Sequence, residues 1–146
     1  LGGASTQEVC ITTFEDLKMK KTFRFAIFKI EGEKEVSTAL QNELTEIIPK
    51  VVLDTTGGPD ATWDDFVKSL PKTEARYAIF DYAFKTDEKP PRDVSKIVFI
   101  YWSPDDGPSR PKMIYAITKE DFKKKLVGIA KDLQANSLAD VSLIIT

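Results

Sequence analysis

Lysine and arginine side chains that can bind an anionic partner are concentrated in one stretch of this chain. Residues 109–131 carry seven of them and only two acidic residues, namely Arg110, Lys112, Lys119, Lys123, Lys124, Lys125 and Lys131 against Glu120 and Asp121. The stretch therefore has a net charge of about +5, whereas the whole chain is −2, so the remainder is about −7. Charge this uneven predicts a binding site rather than a uniformly solvated surface.

Residue types that catalyse reactions or bind metals are scarce. The chain has no histidine and a single cysteine, Cys10, which excludes Ser-His-Asp and Cys-His catalysis and leaves few ligands for zinc. Asp64-Asp65 and Asp105-Asp106 are paired carboxylates, the residue type that glycosidases use. Adjacent aspartates are, however, more typical of helix caps and solvated turns. We therefore expect no enzyme activity, no metal and no cofactor.

The lysine-rich segment has two interpretations. Three consecutive lysines, Lys123 to Lys125, can simply solvate the outer face of a helix. Alternatively, Lys119 and Lys123 are neighbours one helical turn apart and join Arg110 and Lys112 in a site for nucleic acid, acidic lipid or an acidic protein surface. Nucleic-acid-binding domains are usually strongly basic, whereas this chain is slightly acidic. A protein or a phosphoinositide fits better.

Length and composition are those of one soluble domain. The 146 residues, with 42% hydrophobic and 30% charged side chains, suit one hydrophobic core. No apolar run approaches the roughly 18 residues of a membrane span. A lone cysteine cannot form an internal disulfide and indicates a reducing compartment, the cytoplasm. We expect one domain over residues 4–146, with residues 1–3 a cloning scar or a disordered start.

Hydrophobic periodicity predicts three helices, over residues 6–20, over residues 61–71 and from residue 118 onward. The second is capped by Thr62 with Asp65 and the third by Thr118 with Asp121, in the spacing of a capping box. The third also carries an apolar stripe, formed by Phe122, Leu126, Ile129 and Leu133.

Strands are predicted at residues 21–30, 50–56, 75–84, 95–103 and 112–116. Residues 31–48 read as a turn followed by a strand or short helix that Pro49 interrupts, and residues 138–146 as a short apolar element. At least two strands are apolar on both faces, which predicts the α/β class, with a mixed sheet flanked by helices on both sides.

Residues 102–129, WSPDDGPSRPKMIYAITKEDFKKKLVGI, resemble the actin-depolymerising factor/cofilin family. That family carries a W-x-P-D/E turn, a basic-x-K-M-x-Y-A strand and an S/T-K-D/E helix start followed by basic residues. Three other blocks agree in order and spacing, TTFEDLKMKKTFRFAIFKI from residue 12, YAIFDYAF from residue 77 and DLQAN from residue 132. The resemblance covers about residues 8–142.

This resemblance implies a mixed sheet of five or six strands between helix pairs. It also implies a monomer that binds monomeric and filamentous actin and promotes depolymerisation without catalysis, in the cytoplasm at the actin cytoskeleton. Such proteins insert their long helix into the hydrophobic cleft at the barbed end of actin. The matching positions are Arg110, Lys112 and Met113 on the strand and turn, and Lys119, Lys123 and Lys124 on the helix. Met113 and Ile117 would add apolar contact, while the lysines would steer association.

A second, filament-specific surface of the family is matched only in part. It uses basic residues before the fourth strand and charged residues on a C-terminal helix. Lys96 matches the first group, and Arg92 lies near it but out of register. The C-terminal helix is nearly absent from the sequence, so we expect weaker filament binding and severing than in typical members.

Regulation of the family also has a counterpart. Many members are inhibited by phosphorylation of a serine near the N-terminus, for which Ser5 is the nearest candidate and Thr6 a weaker one. A phosphate would add about −1.5 to −2 charges beside a basic surface and oppose binding. Some members respond to pH through histidine, and without one we expect no such response between about pH 6.5 and 8.

Two alternatives remain open at this point. The first is a phosphoinositide-binding regulatory module that uses the same basic helix. The second is a relative that binds the branching complex or filament sides only, against which the intact basic-x-K-M-x-Y-A block argues.

Overall fold

Six strands lie side by side in one sheet in the computed structural model of this chain, which describes residues 3–37, 44–106 and 109–143. In chain order they are β1 (Ser5–Thr6), β2 (Phe25–Ser37), β3 (Leu44–Gly57), β4 (Arg76–Lys85), β5 (Asp93–Trp102) and β6 (Ile129–Ala135). Across the sheet the order is β1-β3-β2-β4-β5-β6. The β1–β3 and β5–β6 pairs are parallel and the other neighbours are antiparallel. The predicted mixed sheet of five or six strands is confirmed.

Helices cover both faces of this sheet, as the sequence predicts. In the described ranges they are α1 (Glu8–Glu15), which continues as a π-helical turn (Asp16–Lys20), α2 (Trp63–Ser69), α3 (Ser109–Lys124) and α4 (Leu138–Leu143). Buried side chains of α1 and α3 share one core, and those of α2 and α4 share the other. None of the helices in these ranges is long and apolar enough to cross a membrane.

One core lies between the sheet and the layer formed by α1 and α3. At its centre, the ring of Phe122 packs against Phe28 of β2 and Tyr77 of β4, with 5.2 Å between ring centroids in both pairs. β4 contributes Tyr77 and Ile79 to this face and Ala78 and Phe80 to the other. Side chains on this strand therefore alternate between the two faces, which explains why α3 and α2 lie on opposite faces of the sheet.

The second core lies beneath α2, whose N-terminus is fixed by the predicted capping box. The Asp65 N–H donates to Thr62 Oγ1 at 3.2 Å, and the Thr62 N–H donates to Asp65 Oδ2 at 2.8 Å. These bonds from Thr62 lower the pKa of the Asp65 carboxyl. Asp65 is thus a helix cap, as expected for an aspartate at this position.

The long helix begins earlier than its sequence pattern indicates. α3 starts at Ser109, so the predicted strand at residues 112–116 is wrong and those residues are helical. Pro111 lies in the first helical turn, where its missing N–H has no intrahelical acceptor to lose. Thr118 is consequently in the middle of the helix and almost fully buried, and its prediction as the N-cap is wrong.

The predicted apolar stripe continues past the true end of α3. The helix ends at Lys124, and Gly128, with φ of +109°, turns the chain into β6. Ile129 and Leu133 therefore lie on a strand that pairs with β5, not on the helix. Ile129 packs against the core shared by α1 and α3, and Leu133 against the core shared by α2 and α4. Their separation of four residues equals a helical interval, although they do not share a face of the strand.

Within residues 31–48, predicted as a turn followed by a strand or short helix, residues 31–37 are the end of β2 and residues 44–48 are the start of β3. β2 and β3 pair from Phe25–Gly57 to Ser37–Leu44, and Pro49 lies within β3 opposite Gly32. The prediction that Pro49 interrupts this segment is therefore wrong, and residues 38–43 lie outside the described residues. At the ends, Thr6 belongs to β1 and not to the first helix. The apolar element predicted at residues 138–146 is α4 up to Leu143, beyond which lie residues outside the described part.

Candidate functional site

α3 presents two apolar side chains to the exterior. Met113 is 65% exposed and Ile117 is 54% exposed, and they are four residues apart, so they lie one above the other on the same helical face. Glu120, three residues after Ile117, and Lys124, four residues after Glu120, continue that face and are exposed as well. The opposite face carries the buried side chains Tyr115, Thr118 and Phe122. The outward face of α3, defined by Met113, Ile117, Glu120 and Lys124, is the candidate binding surface.

Hydrogen bonds hold this helix at a fixed place on the sheet. The Tyr115 hydroxyl accepts a 2.8 Å bond from the Ile30 N–H of β2. The Tyr77 hydroxyl of β4 donates to the Tyr115 carbonyl. Burial raises the pKa of both tyrosines, so they stay protonated. Tyr101 of β5 donates a longer bond, 3.5 Å, to the Lys112 carbonyl.

One flank of α3 carries three of the predicted lysines. At about 100° per residue, Lys112, Lys119 and Lys123 share a flank between the outward and buried faces. Lys119 Nζ lies 3.6 Å from Asp132 Oδ1, and Lys123 Nζ donates to Asp132 Oδ2 at 2.6 Å. The hydrogen bond to Asp132 raises the pKa of Lys123, with a smaller contribution from Glu120, whose carboxylate is 3.3 Å away.

Asp132 is a residue that the sequence analysis missed as part of this site. It lies on β6, whose residues were assigned to the end of the long helix, so its side chain was not expected beside the lysines. A correct assignment of β6 as a strand parallel to β5 would have placed it next to α3. Lys119 and Lys123 on this flank are therefore paired with a carboxylate of the same molecule.

The remaining basic positions of the long helix lie near its start. Arg110 and Lys112 are in α3, so their placement on a strand is corrected. Lys112 Nζ donates to the Asp105 carbonyl at 3.4 Å. The side chain of Arg110 lies outside the described part of the chain. All six positions matched to the actin-binding set are nevertheless on one helix, whereas the sequence divided them between a strand and a helix.

The segment that contains Ser5 runs beside the middle of α3. The Ala4 N–H donates to Thr118 Oγ1 at 2.8 Å, and Ser5 pairs with Lys50 of β3. A Cβ on Gly3 would lie 2.7 Å from the same Thr118 oxygen, so this close approach requires glycine. Ser5 itself is exposed, whereas the hydroxyl of Thr6 is buried. Of the two candidates for phosphorylation, Ser5 is the accessible one.

The candidate filament residues lie toward the other end of β5. Lys96 is exposed near the start of this strand, with its Nζ 5.7 Å from the centroid of the Phe84 ring. Arg92, in the preceding loop, pairs with the Glu88 carboxylate. α3 follows the opposite end of β5, roughly 20 Å along the strand at about 3.3 Å per residue. The two groups therefore form separate surfaces.

Other candidate chemical groups have structural partners. The Cys10 thiol is fully buried and donates to the Val51 carbonyl at 3.4 Å, and burial raises its pKa to about 11. The Asp105 N–H donates to the Asn136 carbonyl in a turn. Among the described residues, no group of three or more histidine, cysteine or acidic side chains is placed to hold a metal ion.

The family model for cofilin/tropomyosin-type actin-binding proteins matches residues 3–144. The chain belongs to this family, that of cofilins and actin-depolymerising factors. The match covers nearly the whole chain, including the block around α3 from which the resemblance was inferred.

Individual relatives agree with this assignment. Actin-depolymerizing factor 7 of Arabidopsis thaliana is 41% identical over 140 residues, which are 96% of this chain and 89% of the relative. The crystal structure of Plasmodium berghei actin depolymerization factor 2 is 30% identical, with a TM-score of 0.73 over 97% of this chain and 90% of that one. Streptomyces griseoflavus cofilin, at 24% identity, shares the fold, with a TM-score of 0.77 over 96% of this chain and 91% of that one.

Proposed function

We propose that this cofilin-family protein binds monomeric and filamentous actin and promotes filament depolymerisation. The observation that carries the proposal is the exposed apolar pair, Met113 and Ile117, on the outward face of the long helix. A helix that presents apolar anchors four residues apart suits insertion into a hydrophobic groove. The protein acts as a monomer and performs no catalysis, in the cytoplasm at the actin cytoskeleton.

The outward face and its lysine flank contribute in different ways. Burying a side chain such as that of Met113 contributes about 1.5–3 kcal/mol to association. Lys124 on this face, with Arg110 and Lys112 at the start of the helix, attracts an acidic partner and fixes its orientation. Lys119 and Lys123 add to this charge while paired to Asp132.

Ser5 is the proposed point of regulation. It is exposed and directly follows Ala4, whose N–H is bonded to Thr118 in the middle of α3. A phosphate on Ser5 places about −1.5 to −2 charges beside the helix that binds actin, and repels acidic groups of the partner. The names of the relatives do not favour the phosphoinositide alternative.

The proposal is tested by titrating fluorescently labelled monomeric actin with the parent and with the double variant Arg110→Ala/Lys112→Ala. We expect micromolar or tighter binding by the parent and a loss of about tenfold or more in the variant. The matched control is Lys68→Ala/Lys72→Ala, which removes the same charge from α2 and the segment after it. A parent that does not bind, or a control that loses as much as the variant, would contradict the proposed function.

A further inference from the structure

A single carboxylate holds two of the candidate actin-binding lysines. Each oxygen of Asp132 faces one of them, Oδ1 at 3.6 Å from Lys119 Nζ and Oδ2 at 2.6 Å from Lys123 Nζ. Water still reaches all three side chains, with 21% of Lys119, 26% of Lys123 and 29% of Asp132 exposed. The two ammonium groups are therefore fixed along the flank of α3 by a residue from another element.

We propose that Asp132 is a positioning residue for actin binding, which sets the direction and spacing of Lys119 and Lys123. The proposal rests on the proposed function, because it concerns the same helix. Two lysines one turn apart repel each other, and each has a long side chain with many rotamers. A carboxylate between them offsets the repulsion and selects one arrangement.

The arrangement still leaves both lysines able to bind. An ammonium group has three N–H donors, and Asp132 engages only part of this capacity. Lys119, at 3.6 Å, makes an ion pair longer than a normal hydrogen bond. The partner's acidic groups therefore meet two pre-oriented cations, which lose less conformational freedom on binding than two mobile ones.

A role in fold stability alone does not account for this geometry. Ion pairs with solvent access contribute little to folding because water and salt screen them. Asp132 therefore has a larger effect on the position of the two ammonium groups than on the stability of the fold. The variant Asp132→Asn keeps the size of the side chain and removes its charge. If Asp132 acts only through its charge, this variant binds an acidic partner more tightly than the parent. If Asp132 positions the lysines, the variant binds more weakly.

The test compares the affinities of Asp132→Asn and Asp121→Asn for labelled monomeric actin. Asp121 is exposed on α3 and makes no ion pair with either lysine, so its variant changes the net charge equally. If only net charge matters, both variants bind an acidic partner more tightly than the parent, because each loses one negative charge. If Asp132 positions the lysines, only Asp132→Asn weakens binding, by about five- to tenfold, and Asp132→Glu restores most of the affinity. A thermal melt of each variant verifies that it is folded.

Salt dependence gives a second readout that a structural role would not change. Without Asp132, Lys119 loses its carboxylate partner and Lys123 keeps only Glu120 on its own helix, 3.3 Å away. Both side chains are then more mobile and more hydrated, so we expect affinity to fall more steeply with ionic strength than in the parent. If Asp132→Asn binds as tightly as Asp121→Asn, with the same salt dependence, while the parent binds actin, this inference is overturned and the proposed function stands. If the parent itself does not bind, both are overturned.

Discussion

Cys10 shows at the scale of one residue how burial decides reactivity. Its thiol is enclosed by the core under α1 and bonded to the Val51 carbonyl. Burial raises its pKa to about 11, against about 8.5 for a free thiol. Because the thiolate is the nucleophile, a lone cysteine in this environment is a core residue and not a catalytic one.

We expect iodoacetamide to label the native protein at least about 100-fold more slowly at pH 7.5 than the protein unfolded in urea. The native rate should still be rising at about pH 10, where a free thiol is already mostly ionised. Mass spectrometry after quenching measures both rates, and any label reports Cys10 because the chain has no other cysteine. Equal rates for native and unfolded protein would contradict this account.

Residue types were easier to predict than their partners. The count of basic residues predicts a binding site in residues 109–131, which stays a prediction. Met113 and Ile117 in this stretch are exposed, as the apolar contact expected of them requires. The pairing of Lys123 with Asp132 was not predictable from local spacing, because Asp132 lies nine residues further along and on a strand. Only the assignment of β6 brings that carboxylate beside α3.

At the scale of elements, the position of α3 depends on bonds that link it to strands. One of these bonds is the 2.8 Å hydrogen bond from the Ile30 N–H of β2 to the Tyr115 hydroxyl of α3. Ile30 pairs with β3 on its other side, and β2 pairs with β4 only from Phe25 to Phe28. At Ile30, β2 is not paired with β4, so the Tyr115 hydroxyl accepts the hydrogen bond that a carbonyl of a neighbouring strand would otherwise accept.

We predict that Tyr115→Phe lowers the free energy of unfolding by about 1–2 kcal/mol, because the Ile30 N–H is left without its acceptor. Tyr101→Phe is the matched control: it removes the longer bond to the Lys112 carbonyl, a group that also has an intrahelical partner, and should cost about 0.5 kcal/mol or less. Urea denaturation measures both values. A control that loses as much stability as Tyr115→Phe would contradict the assigned role.

Element boundaries were the least predictable part of the fold. The cap at Thr62 was found because a capping box is a local signal. The start of α3 was missed because residues 112–116 were predicted as a strand that follows Pro111, although proline is well tolerated in a first helical turn. β6 was missed because its apolar residues continue the helical spacing of Phe122 and Leu126, and only its pairing with β5 distinguishes it.

At the scale of the whole molecule, β5 separates two candidate surfaces. α3 follows its end, whereas Lys96 lies near its start. The three-layer arrangement itself was predictable, because strands that are apolar on both faces require cover on both. The distance between the two surfaces was not predictable from the sequence, because it depends on the order and length of the strands.

We predict that Lys96→Ala weakens cosedimentation with filaments about three- to tenfold and leaves the affinity for monomers within about twofold. The reason is that Lys96 matches a basic position of the family's filament-specific surface and lies away from α3. Lys72→Ala, which removes an exposed lysine from the segment after α2, is the control for loss of charge. Equal loss in monomer binding would mean that the two surfaces are not separate.

The most direct measurement of the central claim compares two exposed methionines. Met113 is 65% exposed on the outward face of α3, and Met19 is 74% exposed on the π-helical turn after α1. If the outward face of α3 binds actin, Met113→Ala weakens binding to labelled monomeric actin by about tenfold or more. Met19→Ala should then remain within about twofold of the parent. Binding by Met113→Ala that equals binding by Met19→Ala and the parent would contradict the account.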